Sequence, residues 1–515
     1  MKTWATTTPG RAAPRPIWVL VILVLAITPT APMAPRVFDG RAHGHGSLLR
    51  SPLTVPDAEA ADDAFPQRRN GKGQAGSGGR AVAHYAGAKK ITRTEVTRKA
   101  PDGRLYRVGM NAWEPTIGVD NKSRLFYQAR TPNLQPEVLR SVNNGDTWKV
   151  VSPNVGGAPT HPVSLDPILY LDKDTGRVFT NNIPPSLTCQ PISFTDNAGK
   201  SWTNTGICGH FDHQNIFTGP PVSSDTIGYP NLVYYCAINL VMLVGTSTAT
   251  TCGKSLDGGM TWIHTGEPAY LTRFPPREDQ DETYCDGAVG HGYVDRKGVV
   301  YLPRVWCGQP FVSISRDEGL TWDQVQVSKI GGNFHEAGVA ADGRGNVYVT
   351  WMGDDDLPYL AVSTNGGKSF RKPMMIAPPG VRRASLPAMD MGDDGKLAIV
   401  YAGSTTKTRK TADMLWNGYI TTTTNALARR PVFYSGTIND PADPITRGDC
   451  AGTRCTTLGD FFDVAIGPDG TPWAAFVDGC DGSPKKCIMT FNTVGVRGEG
   501  VVGRLVGGPR LRTRR

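Results

Sequence analysis

An octapeptide recurs five times along the chain, and it constrains the fold more than anything else in the sequence. Its copies place a hydroxyl residue, an Asp or Asn, a Gly, a second hydroxyl residue and a closing aromatic at fixed offsets. They are Ser141, Asn143, Gly145, Thr147 and Trp148; Thr195, Asn197, Gly199, Ser201 and Trp202; Ser255, Asp257, Gly259, Thr261 and Trp262. Two more are Ser315, Asp317, Gly319, Thr321 and Trp322, and Ser363, Asn365, Gly367, Ser369 and Phe370. The closing aromatics stand 54, 60, 60 and 48 residues apart, near the roughly 50-residue period of propeller-type repeats. The pattern reads as a hairpin turn: the Asp or Asn side chain accepts from backbone N–H groups ahead of it, the Gly takes positive φ, and the aromatic packs between sheets. The boxes are fold devices and carry no catalysis.

A second turn precedes each box and leads into a β-rich run. It begins at Asp120, Asp172, Asp225, Asp295, Asp342, Asp393 and Asp469. Seven turns predict an all-β chain, a β-propeller of seven four-stranded blades, or six if the third unit is an insertion. The last two units have no recognisable box, with 421–425 and 490–494 where one would stand. The segment from about 89 to 108 is expected to supply the strand that closes the ring. The 60 Gly and 40 Pro of 515 residues fit this turn-rich plan and argue against a mainly helical protein.

The net charge of +9 invites a nucleic-acid reading until it is located. Residues 1–100 hold 15 basic and 6 acidic side chains, residues 496–515 hold 6 and 1, and the body between holds 34 and 39. An acidic body with basic ends is no nucleic-acid groove. Lys2, Arg11 and Arg15 precede an apolar run from Ile17 to Ile27, too short for a stable membrane span and suited to a signal peptide within 1–34. Residues 35–88 read as a flexible low-complexity linker, 89–495 as the propeller and 496–515 as a basic, Arg-rich tail. Secretion and an extracellular monomer are expected. Ten cysteines fall in neighbouring couples, 189/208, 236/252, 285/307, 450/455 and 480/487. No Cys-x-x-Cys spacing occurs, so local disulfides are expected rather than zinc.

The boxes resemble those of the Asp-box, or BNR-repeat, β-propellers of the sialidase (neuraminidase) superfamily, over about 89–495. The resemblance implies a propeller and leaves activity open, because such propellers include glycosidases, lyases and non-catalytic binders. If each blade runs outward, the Asp turns and boxes share the bottom face, and a site belongs on the top. Six residues before each Asp turn, the inner strands begin at Glu114, Asp166, Gly219, Val289, Glu336, Pro387 and Asp463. Four are acids. The same loops hold His161, His210, His213, His291, His335, Asp212 and Asp460, with acidic runs at 278–282 and 354–356. Such a mouth can supply acid/base pairs or hold calcium, and inner-strand ends also need polar caps facing a wet channel.

The resemblance further implies that Arg107, after Tyr106, and Arg130 stand where the superfamily has carboxylate-binding arginines. Arg304, Arg382 and Arg383 also lie near the top. His335 and Glu336 resemble the segment whose glutamate activates a tyrosine nucleophile, a role open here to Tyr434. The Ile-Pro that follows the first arginine and the acid Asp beyond the second are missing. The leading expectation is a secreted, sialidase-like glycoside hydrolase with altered substrate, needing no cofactor. Glu336, Asp463, Asp166 and Glu114 form its acid/base pool, and His291 and His335 shuttle protons or orient a glycan or polysaccharide. Two alternatives stand beside it: a non-catalytic propeller binding glycan or protein, and a polysaccharide lyase using a histidine with Tyr434 or Tyr401.

Overall fold

In a computed structural model the protein is a seven-bladed β-propeller. The structure describes residues 81–83 and 102–513, apart from 132–134, 154–162, 185–188, 211, 240–248, 271–286, 334, 409, 449, 451–454, 456–457 and 489–497. Each blade is an antiparallel sheet whose strands follow one another outward from the axis. The innermost strands are Trp113–Val119, Ile168–Leu171, Asp212–Gly219, Tyr293–Val294, Gly338–Ala341, Arg383–Met391 and Asp463–Ile466.

The octapeptides join third to fourth strands, and their chemistry is the same in all five. The first hydroxyl accepts from the Gly N–H at 2.7–3.0 Å. The Asp or Asn oxygen accepts from the second hydroxyl residue's N–H at 2.8–3.1 Å. The five glycines sit at φ of +82° to +99°, where a Cβ would be strained. The closing ring then reaches the neighbouring blade, as where Trp202 Nε1 donates to the Val151 carbonyl at 2.8 Å. Blade 6 keeps half of this turn. Thr423 Oγ1 still donates to Asn425 Oδ1, but the N–H received by Asn425 comes from Val432, after a longer loop.

Blade 7 closes the ring with both ends of the chain. Its inner three strands are Asp463–Ile466, Pro472–Asp478 and Glu499–Val506, and its fourth is Asp102–Asn111. The closing strand runs antiparallel to the third, from Asp102 opposite Val506 to Arg107 opposite Val501, with Ala81–Ala83 paired outside it. The expected closure is therefore made a few residues beyond 89–108. No turn links the third and fourth strands here, so the missing seventh box needs no degenerate copy, and 490–494 lie outside the described residues.

The expected tail at 496–515 is corrected. Val501 and Val502 are fully buried in the sheet, and the Arg504 guanidinium lies over Trp473 and Tyr106, 4.9 and 5.6 Å from their ring centroids. Beyond it the chain is stitched across the bottom: Leu511 N–H donates to Gly470, Asp393 N–H donates to Leu511, and Thr513 N–H donates to Asp393 Oδ2. Counting arginines hid the alternation of apolar residues between them.

Four of the expected disulfides are formed, Cys189–Cys208, Cys236–Cys252, Cys450–Cys455 and Cys480–Cys487. The fifth couple involves Cys285, outside the described residues. No helix among the described residues is long and apolar enough to cross a membrane.

Candidate functional site at the top of the axis

Three inner strands begin with the same irregularity. In blades 1, 3 and 6 the ladder slips by one residue, between Trp113 and Thr116, Asp212 and Asn215, and Ser385 and Ala388. Each slip centres on a non-glycine residue at positive φ: Glu114 at 54°, His213 at 47° and Leu386 at 57°. A bulge re-aims a side chain that regular pleating would direct elsewhere. Pro115 and Pro387, which cannot donate to a ladder, follow two of them. Backbone strain of this kind costs on the order of 1–3 kcal/mol per residue and persists only where the surroundings hold it.

These bulges correct the count of six. It holds in blades 1, 2, 4 and 5, giving Glu114, Asp166, Val289 and Glu336, where the turn keeps the bond of Asp120 with Arg124 or its equivalent. In blade 3 the link from inner to second strand is long, running from Gly219 to Leu232, and the bulge residue is His213. In blades 6 and 7 the turn bonds equivalent to Asp120 with Arg124 are made by Gly392 with Lys396 and Gly467 with Thr471. Counting from Asp393 and Asp469 therefore overshoots. Asp463 lies lower than expected and faces an axial cavity of about 270 Å³ lined by all seven inner strands. The acid that blade 7 gives to the mouth is Asp460.

At the mouth, Glu114 is wholly buried and its pKa is raised well above the usual carboxylate range. Burial is the first cause, and the negative charges of Asp460 and Asp166 follow, partly opposed by Arg130. Glu114 stands near enough to Asp460 for their charges to interact, yet neither of its buried carboxyl oxygens has a hydrogen-bond partner among the described residues. Arg130 stacks over Trp113, its Cζ 3.7 Å from the ring centroid.

Opposite lies an ion pair. His213 Nδ1 is 2.7 Å from Glu336 Oε1, and His291 Nε2 is 3.8 Å from Glu336 Oε2. Burial would lower the His213 pKa, but Asp212 and Glu336 together raise it to about 10, so the imidazole is charged at neutral pH. Asp212 is itself raised by burial, with His213 opposing and Asp166 and Asp460 adding to the rise. The sequence had named His213, Asp212 and Asp460 only as loop residues; their contacts make them central.

Several expected residues are placed elsewhere. His335 is buried behind the mouth, its Nε2 2.7 Å from Ser385 Oγ, and burial lowers its pKa to about 4, which leaves no proton to shuttle near neutrality. Tyr434 sits on the outermost strand of blade 6, Phe433–Thr437, beside the bottom turn, and Tyr401 is buried within that blade, hydrogen-bonded to Thr421. Neither tyrosine reaches the mouth. Arg107 lies on the outer strand of blade 7, paired with Glu499 and 3.7 Å from Asp478. Arg304 is fully buried, donating to the Gly287 carbonyl at 2.9 Å and to Thr250 Oγ1 at 3.0 Å. Arg383 pairs with Asp356 at 3.6 Å, and Arg382 is exposed. Of the expected arginines only Arg130 borders the acids. His210 is bonded to His264 at 3.0 Å, on the outer strand of blade 3. His161 and the acids 278–282 lie outside the described residues. Among the described residues no three His, Cys, Asp or Glu side chains are arranged to hold a metal ion.

No protein-family model and no curated protein matches the chain. Among solved structures it is similar to the Hadza microbial sialidase Hz136, at 15% identity and TM-score 0.39 over 64% of this chain and 66% of that one. It is also similar to an α-L-arabinofuranosidase from Fusarium graminearum, at 14% identity and TM-score 0.37 over 65% and 94%. A lectin from Burkholderia pseudomallei aligns at 13% identity and TM-score 0.47 over 72% and 94%. At such identities the chemistry has to be read from the site itself.

Proposed function

We propose that the protein is a secreted glycoside hydrolase, acting at the top of the axis on neutral glycans. The observation that carries the reading is the carboxyl pair of Glu114 and Asp460, set among Asp166, Asp212 and Glu336. Glycoside hydrolysis needs two carboxyl groups whose environments hold them in different protonation states. Glu114, wholly buried and raised well above the usual carboxylate range, favours its neutral form beside Asp460 at the partly open mouth. Asp460 then serves as the base or stabilises a developing oxocarbenium charge. Asp212, raised by burial although the His213 charge opposes the rise, is the proton donor to the leaving oxygen, and Glu336 keeps His213 charged while Asp212 holds the proton. The charged His213, fixed by Glu336, is a positioning residue that holds Asp212 in place.

The sialidase-like ancestry implied by the boxes is part of this reading, but a sialoside substrate is not. Recognition of a carboxylate calls for a cluster of basic donors. Arg107 and Arg304 are engaged away from the mouth, and acids outnumber cations there. Export is supported by the basic and apolar start of the chain and by four disulfides.

A panel of neutral, sialylated and uronate-containing glycans tests the assignment. Sugar release is expected from neutral substrates alone, with Asp460→Asn and Asp212→Asn each lowering turnover by roughly 100-fold or more. No release from any glycan, or unchanged turnover in Asp460→Asn, refutes it. Saturable binding without product would return the non-catalytic alternative, and an ultraviolet-absorbing product the lyase.

A further inference from the structure

Asp460 follows closely on a disulfide. Cys450 and Cys455 are cross-linked across a separation of 5 residues, and both are fully buried. The disulfide is packed against the back of the mouth: Cys455 Sγ is 3.9 Å from Ser385 Oγ, which is itself 2.7 Å from the His335 Nε2. From Cys455 the chain makes a tight reversal. Cys455 N–H donates to the Gly459 carbonyl at 3.0 Å, and the Leu458 and Gly459 N–H groups return to the Cys455 carbonyl at 3.2 and 3.3 Å. Leu458 in turn accepts from the Glu114 N–H at 3.4 Å.

Gly459 completes the approach. It sits at φ +89°, and a Cβ there would run into the Glu114 Cγ and stand 2.8 Å from Trp113 Nε1. Only glycine lets the backbone come this close to the strained bulge, and the next residue is Asp460. A cross-link that closes so few residues constrains the unfolded chain less than those spanning 19 and 16 residues elsewhere in the protein. Its larger effect is local.

We propose that the Cys450–Cys455 disulfide, together with Gly459, is a brace that positions Asp460 against Glu114, serving the mouth rather than the stability of the fold. The inference deepens the glycosidase reading and rests on it for its link to turnover, but the brace itself can be tested without a substrate. The variants are Cys450→Ser with Cys455→Ser, and Gly459→Ala, which leaves the disulfide intact. Cys480→Ser with Cys487→Ser, which opens a separation of 7 residues on blade 7, is the control.

The first readout is the infrared carbonyl band of the protonated Glu114 carboxyl, assigned by its loss in Glu114→Gln. The second is turnover on whichever glycan the wild type cleaves. Both brace variants are expected to shift or lose the band and to lower kcat by roughly 100-fold, the scale of a misplaced catalytic group. The control should leave both untouched while melting no higher than the double brace variant. The proposal is overturned if the brace variants keep the wild-type band, if the control damages the band equally, or if the double variant fails to fold. Should the wild type cleave nothing, the glycosidase reading fails and the band alone still decides on the brace.

Discussion

Replacing Asp463 with Asn should change stability by an amount that depends on pH in one direction, moving in favour of the variant as pH rises. The carboxylate faces the axial cavity, accepts the Ile117 N–H at 3.0 Å and the Val464 N–H at 2.7 Å, and is raised to about 6 chiefly by burial, with His291 opposing. An unfolded Asp titrates near 3.9. A folded pKa above the unfolded one means stability that is fully present below about pH 4 and lost as pH rises through 6. The shift of about 2 units corresponds to about 3 kcal/mol, an upper figure because water in a cavity of this size screens the charge. Asn carries no charge to desolvate, but the two N–H groups reach different carboxylate oxygens and its one oxygen can serve only one of them, a cost of about 1–3 kcal/mol that does not vary with pH. Urea unfolding of both proteins from pH 4 to 8 should show the difference moving toward Asp463→Asn by up to about 3 kcal/mol as pH rises, levelling above pH 7. A difference that is flat with pH, or one that moves toward the wild type as pH rises, would refute the reasoning. Glycan turnover should survive the change, because Asp463 lies below the mouth.

His213→Asn should cost about 3–5 kcal/mol near neutrality by leaving Glu336 buried without its countercharge. Because the His213 pKa is raised to about 10, its stabilisation is complete below about pH 6.5 and fades toward pH 10; an unfolding series in which the loss does not shrink on that side would count against the pair. Leu511→Ala should lower stability by roughly 2–5 kcal/mol, since that side chain is fully buried under the bottom face; an unchanged urea midpoint would return 507–513 to the status of a tail. Asp257→Ala should cost about 1–2 kcal/mol by releasing the N–H groups of Met260 and Thr261, read as a fall in the thermal midpoint with sugar release unaffected. Chelation by EDTA should leave the melting temperature unchanged, and recovery of a loss by added calcium would show that the mouth acids hold a cation instead of pairing with each other and with His213.

The blades were legible because they repeat. A box such as 255–262 draws its hydrogen bonds from its own eight residues, so local chemistry is enough to recognise it. The mouth was legible only in outline. Glu114, Asp166 and Glu336 follow from a constant spacing to the turn, which held wherever the turn kept its length. His213 and Asp460 escaped because their blades break that spacing, and because a bulge that turns a side chain is set by the ladder beside it rather than by its own residue type. Arg107 and Arg304 illustrate the opposite failure. Each is the right residue type on the right strand, yet both guanidinium groups are satisfied by groups far along the chain, Glu499 and Gly287, that no local pattern announces.

The seam in blade 7 bears on how the ring can form. Arg107 and Glu499 meet across 392 residues of chain, so the strand made early has only the short Ala81–Ala83 beside it until almost everything after it has been synthesised. Until then the edge of Asp102–Asn111 that faces Glu499–Val506 in the finished blade is open to pairing with another chain. Loop-closure entropy grows only slowly with length, so the wait is costly in time rather than in final stability. A circular permutant cut at the 315–322 hairpin, with the old ends joined through blade 7, should give the same propeller by a faster route. In that molecule the late event moves to blade 4, and the mouth acids of blades 1 and 7 come together while the chain is still growing.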